Sequence, residues 1–475
     1  MDQDNLPEEF VYQAYAREKI VSRGRTAVIA PPGAGKTRPI IDALLQLGVM
    51  QRVSDGTVYL PKGPVLILCS GPAIPTWLRQ IPEWSNNISL REAMYVVRGS
   101  KEYRMNLWFG ASINSGTGGI YITNSSVFLR DINAIRKVQW AAIIADEYHK
   151  FMRRRKSQSF KAFKSMTRHL DVVILASGSL VSKNPASMFT AFQIIAPTTF
   201  TSYWRFVNTF CFVSDGHFGK HVGGVKNVKA LQKVMDRYIA YIPKEVVAGE
   251  VPEGRRQFID AMMTPSQEHA YNDVADDMIH MSESGQLIIA QTVLSQLIRL
   301  RQLLCCPRIL DPALGMGGGF QVILEALELT PHMVIFVPFR LACEHIRDAL
   351  RDEGYNANMI RGGITSEEQN AKIAYFKNTR SVLVCTISYA ESFDLETCNT
   401  SYFLGYDYSL NQNEQAEGRT QRVISEAEFV TWNYIRYIGT VDEDMLMNLN
   451  EDMSNVRKIL RRPQAIIDAL KGHKS

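Results

Sequence analysis

The sequence contains few of the features that would assign it to a specialised class of protein. Only seven cysteines occur among 475 residues, an odd number with no CxxC pair, so we expect neither a disulfide framework nor a zinc site. No apolar run approaches the length of a membrane span, and the acidic N-terminus lacks the apolar region of a signal peptide. These absences predict an intracellular, cytoplasmic protein (in the host cytoplasm if it is viral) without a membrane partner.

The chain also has little excess of charge of either sign. Lysine and arginine number 53 against 48 aspartate and glutamate, which gives a formal net charge of +5. This mildly basic balance is compatible with a nucleic-acid partner but does not indicate one by itself. The composition is that of a globular protein, and the length exceeds what one ordinary core accommodates, so two or three domains are expected.

What the sequence does contain is two groups of short apolar runs rich in valine and isoleucine, which predict buried parallel strands. The first group comprises Thr26–Ile29, Val65–Cys69, Gly119–Ile122, Ala141–Ala145 and Val172–Ala176. The second comprises Met333–Val337, Ala357–Ile360, Ser381–Thr386 and Ser401–Leu404. Between the groups, Asn227–Tyr241 and Ser266–Pro307 favour helix, and Pro243–Gly254 favours a linker. The chain is therefore predicted to be an α/β protein of two lobes with a helical insertion.

The most specific local pattern is Ala30–Thr37, a Gly-rich turn that follows an apolar strand and opens a helix. Glycines allow successive backbone amides to point at phosphate oxygens, and Lys36 would reach the β- and γ-phosphates while the Thr37 hydroxyl holds Mg²⁺. Pro39 is tolerated only in the first turn of a helix, which puts the helix start near Lys36. The expected phosphate-binding residues are Pro32, Gly33, Ala34, Gly35, Lys36 and Thr37. The pattern predicts a nucleoside triphosphate site.

A second half of that site is expected at Asp146 and Glu147, at the end of the apolar run Ala141–Ala145. Ligands bind at the carboxyl ends of strands in open parallel sheets. Asp146 would bind Mg²⁺ and Glu147 would polarise the attacking water.

The downstream segment Gln415–Arg422 contains two arginines. On a continuous helix, Gln415, Arg419 and Arg422 would share one face, and two guanidiniums aimed the same way bind polyphosphate well. A solvated basic helix is the alternative that this segment alone leaves open.

In this order the motifs resemble those of superfamily-two nucleic-acid translocases, and most closely the Swi/Snf-type ATPases, from about Leu6 to Leu449. Leu6-Pro7 with Tyr12-Gln13 resembles the adenine-reading glutamine motif, which implies that Gln13 binds nucleotide. The segment Leu300–Pro307 resembles one that is specific to the Swi/Snf type.

The resemblance implies two RecA-like lobes that bind ATP and Mg²⁺, with catalytic roles for Lys36, Glu147, Arg419 and Arg422. The DNA contacts that it implies are Ser70, Gly71, Thr123, Asn124, Arg361, Thr386 and Ser388. The expected domains are a first lobe over 1–245 with a helical protrusion near 200–245, a linker and helical segment over 246–320, a second lobe over 321–450 and a helical tail over 451–475. ATP hydrolysis between the lobes would then drive movement along nucleic acid, with double-stranded DNA as the favoured track, with a bound protein as a possible target, and with a monomer favoured.

One segment departs from the family pattern. Ser392 and Asp394 stand where the family has Gly and Asn, and Asp394 would bring a negative charge near the DNA or the lobe interface. The basic run Arg153–Lys156 fits a DNA contact and a solvated face equally well.

Three tryptophans could stack on bases, but core packing is the expectation for each: Trp77, Trp140 and Trp204.

Two other functions remain open from the sequence. One is a helicase that separates strands or migrates branches. The other is a nucleotide-switched clamp with little turnover, which the altered Asp394 segment makes plausible.

Overall fold

The computed structural model describes residues 8–52, 58–59, 63–86, 88–113, 118–152, 155–178, 185–216, 219–247, 252–283, 290–390, 393–422, 427–443 and 445. The chain forms two compact units that divide near residue 250. The predicted features at Leu6-Pro7, Arg153-Arg154, Ser392 and the tail 451–475 lie outside the described residues.

The first unit is built on a parallel sheet. Its strands are β1 (Arg25–Ile29), β2 (Gln51–Arg52), β3 (Val58–Tyr59), β4 (Val65–Leu68), β5 (Met94–Val96), β6 (Ile120–Thr123), β7 (Ala142–Asp146), β8 (Val172–Ser177), β9 (Phe212–Gly216), β10 (Gly219–Gly223) and β11 (Ile239–Tyr241). Among the described residues, seven strands pair in the order β11-β1-β8-β7-β4-β6-β5, every pair parallel. The remaining strands form the antiparallel pairs β2–β3 and β9–β10.

Helices cover both faces of this sheet, because its central strands are buried on both sides. The helices are α1 (Val11–Arg23), α2 (Thr37–Gln46), α3 (Ile74–Trp84), α4 (Lys101–Ile113), α5 (Ser125–Arg130), α6 (Ile132–Ile135), α7 (His149–Met152), α8 (Gln158–Thr167), α9 (Phe189–Ile195), α10 (Tyr203–Phe210), α11 (Val228–Tyr238) and α12 (Lys244–Val247). Ala27 and Ile29 join one apolar cluster, whereas the equally buried Thr26 and Val28 point to the opposite face.

The second unit repeats this architecture. Its strands are β12 (Glu253–Asp260), β13 (Met333–Val337), β14 (Ala357–Ile360), β15 (Val382–Thr386), β16 (Thr400–Leu404) and β17 (Phe429–Arg436). Its helices are α13 (Pro265–Glu283), α14 (Ala290–Cys305), α15 (Gly318–Leu329), α16 (Arg340–Asp352), α17 (Ser366–Asn378) and α18 (Leu410–Glu417). Among the described residues, six strands pair in parallel in the order β12-β17-β16-β13-β15-β14. Alternate residues of β13 enter separate apolar clusters on the two faces.

Each predicted apolar strand is present, within one residue at either end, and the predicted class of two parallel α/β units is confirmed. β12 was not predicted: Glu253 and Gly254, which we expected in the linker, begin a largely exposed edge strand. Tyr241 ends β11 rather than the predicted helix, which stops at Tyr238.

The seven cysteines are all buried and free of disulfides. No helix among the described residues is both long enough and apolar enough to span a membrane.

Candidate active site

The Gly-rich turn joins β1 to α2, as its sequence predicts. α2 begins at Thr37, with Lys36 as the residue before it. Gly33 and Gly35 have φ angles of 87° and 67°, left-handed conformations that side chains other than glycine adopt only with strain. The Lys36 ammonium group lies across the turn and donates to the Ala30 carbonyl at 3.1 Å and to the Pro31 carbonyl at 3.4 Å. The turn thus has the backbone shape and the cation of a phosphate-binding loop.

Gln13 on α1 is buried against this loop. Its Nε2 donates to the carbonyls of Ala34 at 3.3 Å and Gly35 at 3.4 Å, and its Oε1 accepts from the Phe10 amide at 3.3 Å. A Cβ atom at Gly35 would lie 2.6 Å from Gln13 Nε2, so Gly35 is needed for this close approach as well as for its φ angle. The structure thus ties the predicted nucleotide-binding glutamine to the phosphate-binding loop.

Asp146 ends β7, two strands from β1 in the parallel sheet, so both loops leave the sheet at its carboxyl edge. The indole N–H of Trp77 on α3 donates to Asp146 Oδ2 at 3.0 Å. Burial raises the pKa of Asp146, and the neighbouring charge of Glu147 raises it further, against the opposing effects of Trp77 and Lys36. An extra positive charge at this carboxylate would therefore be stabilising, as expected of a metal-binding aspartate.

Glu147 lies beside the end of the neighbouring strand β8, with a φ angle of 47°. Its Oε2 is 3.2 Å from His149 Nδ1 and 3.4 Å from both the Ser177 hydroxyl and the Gly178 amide. Burial raises the pKa of Glu147, but the charges of His149 and Lys36 and the Gly178 amide outweigh burial and hold this pKa below its ordinary value. The surroundings of Glu147 consequently favour its ionised form.

His149 joins the carboxylate segment to the end of β8, because its Nδ1 is 2.8 Å from the Ser177 hydroxyl. Ser177 in turn contacts Glu147. These three side chains form one hydrogen-bonded group, although Ser177 lies 28 positions after His149 in the sequence.

In the second unit, the expectation that Arg419 and Arg422 share a helix face with Gln415 is wrong. Helix α18 ends at Glu417. Arg419 lies in the turn after it, and Arg422 lies in the irregular segment beyond that turn. They are nevertheless brought together, since Arg419 Nη1 donates to the Phe393 carbonyl at 2.9 Å and Arg422 Nη2 reaches the same oxygen at 3.5 Å. The backbone of the Phe393 segment, rather than helical spacing, aligns the two guanidiniums.

Asp394 makes an ion pair with one of these arginines. Its Oδ1 lies 2.6 Å from Arg422 Nη2. The unusual acid at this position therefore faces a candidate catalytic arginine within its own unit.

The predicted DNA contacts of the first unit lie together at the carboxyl edge, because β4 and β6 are neighbours with Leu68 opposite Thr123. A Cβ atom added at Gly71 would meet no other described atom within 4 Å, so the backbone there is accessible. Thr123, however, is fully buried and its hydroxyl donates to the Val97 carbonyl at 2.8 Å, which disfavours a side-chain contact to DNA. Asn124 caps α5 through its side-chain oxygen, which accepts two backbone amides at 3.0 Å.

The predicted DNA contacts of the second unit also meet at one sheet edge, since Ile360 lies opposite Cys385. Arg361 follows β14, and its Nε lies 2.9 Å from the Glu344 carboxylate. Ser388 is exposed, whereas Thr386 is buried, and its hydroxyl has no hydrogen-bond partner among the described residues.

Trp77 is the functional side chain that the sequence did not identify. It was expected as a core residue, and it is buried, as is Trp140. Trp204 is 43% exposed, so the expectation of core packing is wrong there. The sequence offers no sign of the Trp77–Asp146 hydrogen bond, because the two residues are 69 positions apart.

Comparison with known proteins assigns both units. The family model of the SNF2-related domain matches residues 27–309, and that of the helicase conserved C-terminal domain matches residues 319–424.

Curated relatives match the greater part of this chain at low identity. The transcription regulatory protein SNF2 of Saccharomyces cerevisiae is 21% identical over 82% of this chain and 24% of its own length. Chromodomain-helicase-DNA-binding protein 8 of Xenopus tropicalis is 21% identical over 76% of this chain and 18% of its own length. The SWI/SNF chromatin-remodeling complex subunit snf22 of Schizosaccharomyces pombe is 20% identical over 86% of this chain and 25% of its own length. The chain thus spans about a quarter or less of these relatives.

A solved structure, the Sulfolobus solfataricus SWI2/SNF2 ATPase core in complex with dsDNA, aligns with 97% of this chain and 99% of that one, at 17% identity and a TM-score of 0.42. The SNF2-related model alone covers more than half of the sequence. The chain therefore belongs to the SNF2-related family of helicase superfamily two, a family of nucleic-acid-dependent ATPases.

Proposed function

We propose that this protein is a translocase on double-stranded DNA that couples ATP hydrolysis to movement, using side chains from both units. The observation that carries the proposal is the presence in one chain of a loop-and-carboxylate site, in the first unit, and of two convergent arginines, in the second. Neither unit by itself contains both sets.

The residues of the first unit fit a nucleoside triphosphate. In the Gly-rich turn, among the described residues, the amides of Gly33 and Gly35 donate no hydrogen bond within the protein, and Lys36 contacts loop carbonyls that phosphate oxygens could replace. Thr37 and Asp146 offer only oxygen ligands, the donor set that Mg²⁺ prefers, and the ion would neutralise charge on the phosphates.

Hydrolysis requires a group that orients water and a cation that stabilises the transferring phosphoryl group. Glu147 suits the first role because its neighbours keep it ionised and hold its Oε2 in place. Arg419 and Arg422 suit the second role, since such arginines contribute about 10³–10⁵ in rate. The hydrogen bond of His149 to Ser177 connects the Glu147 segment to the end of the next strand, so a displacement of one segment would displace the other.

The choice of track comes from the family. The names of relatives describe DNA binding and chromatin remodelling. The carboxyl edges of both sheets present polar groups such as the backbone of Gly71 and the hydroxyl of Ser388. Contacts of this kind would grip the phosphate backbone without reading sequence, so binding should be sensitive to salt.

The test is the ATPase rate of the full chain with linear double-stranded DNA, single-stranded DNA, RNA and branched DNA. We expect the largest stimulation with linear double-stranded DNA, and loss of activity in Lys36→Ala and in Glu147→Gln. Greater stimulation by branched DNA, with unwinding of a forked substrate, would favour a helicase instead.

The ion pair between Asp394 and Arg422 favours a second candidate, a nucleotide-switched clamp. A guanidinium that stays on Asp394 would leave the transferring phosphoryl group without its cation, so ATP would bind but turn over slowly. ATP-dependent DNA binding with fewer than about one turnover per minute would support the clamp, since phosphoryl transfer by kinases typically proceeds at about 1–100 per second.

A further inference from the structure

A cavity of about 220 Å³ opens on the first unit, among residues to which the nucleotide site gives no role. Its lining includes the cationic side chains of Arg155, Lys161 and Lys164, together with Gln193 and Tyr203. Among the described residues, no carboxylate lines this cavity. Three cations around a pocket larger than several water molecules, each of which occupies about 30 Å³, favour an anion as its occupant.

Aromatic rings and cations continue this lining across the surface. The guanidinium of Arg155 lies 4.4 Å from the centre of the Tyr203 ring. The Tyr203 ring contacts that of Trp204 edge-on, with 5.3 Å between centroids. Lys220 on the hairpin strand β10 lies 5.6 Å from the centre of the Trp204 ring. We call Arg155, Lys161, Lys164, Tyr203, Trp204 and Lys220 the basic-aromatic surface.

The charge of this surface is only partly balanced by the elements around it. Asp215 lies directly opposite Lys220 in the β9–β10 hairpin and offsets that lysine. The cavity cations come from α8 and from the segment before it. Among the described residues, Arg155, Lys161 and Lys164 form no ion pair with an acid. Trp204 is the most exposed of the six tryptophans in the chain, although burial of an aromatic side chain in the core is favourable.

We propose that the basic-aromatic surface is a nucleic-acid contact, at which the cavity holds a backbone phosphate and Trp204 packs against the adjoining nucleotide. Arginine and lysine beside an exposed aromatic ring are the groups that bind a phosphodiester chain without reading its sequence. This inference rests on the proposed function, and it adds a contact separate from the strand ends at Gly71 and Asn124.

The experiment measures binding of a linear double-stranded DNA by the full chain at several salt concentrations. In Lys161→Gln/Lys164→Gln, we expect affinity at about 0.15 M salt to fall about tenfold and the slope of log affinity against log salt to decrease by about 2, because two phosphate contacts are lost. Lys229→Gln/Lys233→Gln is the matched control, since these lysines are exposed on α11 of the same unit and lie outside the cavity. The control should retain the wild-type slope.

Trp204→Ala supplies a second test without a change of charge. We expect it to weaken DNA binding several-fold while keeping the wild-type salt slope, and to leave the ATPase rate without DNA unchanged. Suppose that the wild type binds DNA and that Lys161→Gln/Lys164→Gln keeps the wild-type salt slope and affinity. That result would overturn the proposal for the basic-aromatic surface and leave the translocase proposal intact. A wild-type protein that neither binds DNA nor is stimulated by it would overturn both proposals.

Discussion

At the scale of single residues, the orientation of Asp146 depends on a side chain from the core. The Trp77 indole donates to one carboxylate oxygen of Asp146, which leaves the other oxygen for a metal ion. Loss of a group that orients a metal-binding residue typically costs about 10–100-fold in metal affinity or activity.

Replacing Trp77 by phenylalanine keeps an aromatic ring in the core and removes this hydrogen bond. We expect Trp77→Phe to raise the Mg²⁺ concentration needed for half-maximal ATPase activity about tenfold or more. Trp140→Phe is the control, because Trp140 is also buried and donates its indole N–H to a backbone carbonyl, that of Ile135. An equal Mg²⁺ dependence of the two variants would show that Trp77 acts only through packing.

Asp394 is the second residue whose effect can be measured directly. Its ion pair with Arg422 is partly exposed, and such pairs are worth about 0–1 kcal/mol. If Arg422 must leave Asp394 to reach phosphate, Asp394→Asn should lower the KM for ATP by up to about fivefold, the factor that corresponds to about 1 kcal/mol.

Glu396→Gln is the matched control for this prediction. Glu396 follows Asp394 closely and pairs with Lys377 at 2.7 Å, so its replacement removes an ion pair that involves neither arginine. We expect its KM to equal that of the wild type. A KM that rises in Asp394→Asn would mean that Asp394 positions Arg422 productively.

The sequence was sufficient to predict residues whose role follows from the local chain. Gly33, Gly35 and Lys36 adopt the predicted loop because their backbone requirements are local. The alignment of Arg419 and Arg422 was predicted for the wrong reason, since it depends on the Phe393 carbonyl, 26 positions before Arg419. Contacts across such distances have no periodic signature in the sequence.

At the scale of elements, the strand β12 is held to the helix α18 by an ion pair between the partly exposed Arg256 and the buried carboxylate of Glu417. Arg256 Nη2 lies 2.7 Å from Glu417 Oε2, and the Tyr434 hydroxyl donates to Glu417 Oε1 at 2.8 Å. Gln421 also donates to the Pro252 carbonyl at 2.8 Å. The first strand of the second unit thus supports the helix and the segment after it, which carries Arg419 and Arg422.

Removing Arg256 would leave the Glu417 carboxylate buried without its cation. We expect Arg256→Met to lower the free energy of unfolding of the second unit by about 3–5 kcal/mol, measured by denaturant unfolding of the full chain. The double variant Arg256→Met/Glu417→Gln should recover part of that loss. Arg255→Met should change stability by less than about 1 kcal/mol, because the Arg255–Glu253 pair is exposed. A small effect of Arg256→Met would mean that the pair does not hold β12 to α18.

β12 also shows what pattern-based prediction misses among elements. The apolar runs were recognised because both faces of their strands are buried. β12 is an edge strand with mainly exposed side chains, and its pairing is fixed by β17 and by Glu417, which follow it by more than 150 positions. Its own sequence therefore carries no alternation or apolar run that would indicate a strand.

At the scale of the whole molecule, the Leu300–Pro307 segment interacts with the C-terminal part of the second unit, because the charge of Arg301 acts on the buried carboxyl group of Asp442. Burial raises the pKa of Asp442 to about 7, against the opposing charge of Arg301. Arg301 itself packs over the Tyr408 ring at 4.2 Å. The family-specific segment is thereby part of the core of the second unit.

This buried acid predicts a direction for stability against pH. Between the ordinary pKa of aspartate, about 4, and pH 7, the folded state binds a proton that the unfolded state has lost, so stability falls as pH rises through this range by up to about 1.4 kcal/mol per pH unit. Denaturant unfolding should therefore find Asp442→Asn more stable relative to the wild type at pH 8 than at pH 5. Asp260→Asn is the control, since the Asp260 side chain is more than half exposed. An equal difference at both pH values would contradict the prediction.

In the whole molecule, we expect ATP hydrolysis that is stimulated by double-stranded DNA to require residues of both units. The steady-state ATPase rate of the full chain tests this, with and without linear double-stranded DNA, in the wild type and in Arg419→Ala. We expect DNA to raise the wild-type rate and Arg419→Ala to lower the stimulated rate about 10³-fold or more. A wild-type rate that DNA leaves unchanged, or a stimulated rate that survives in Arg419→Ala, would show that hydrolysis does not depend on both units in this way.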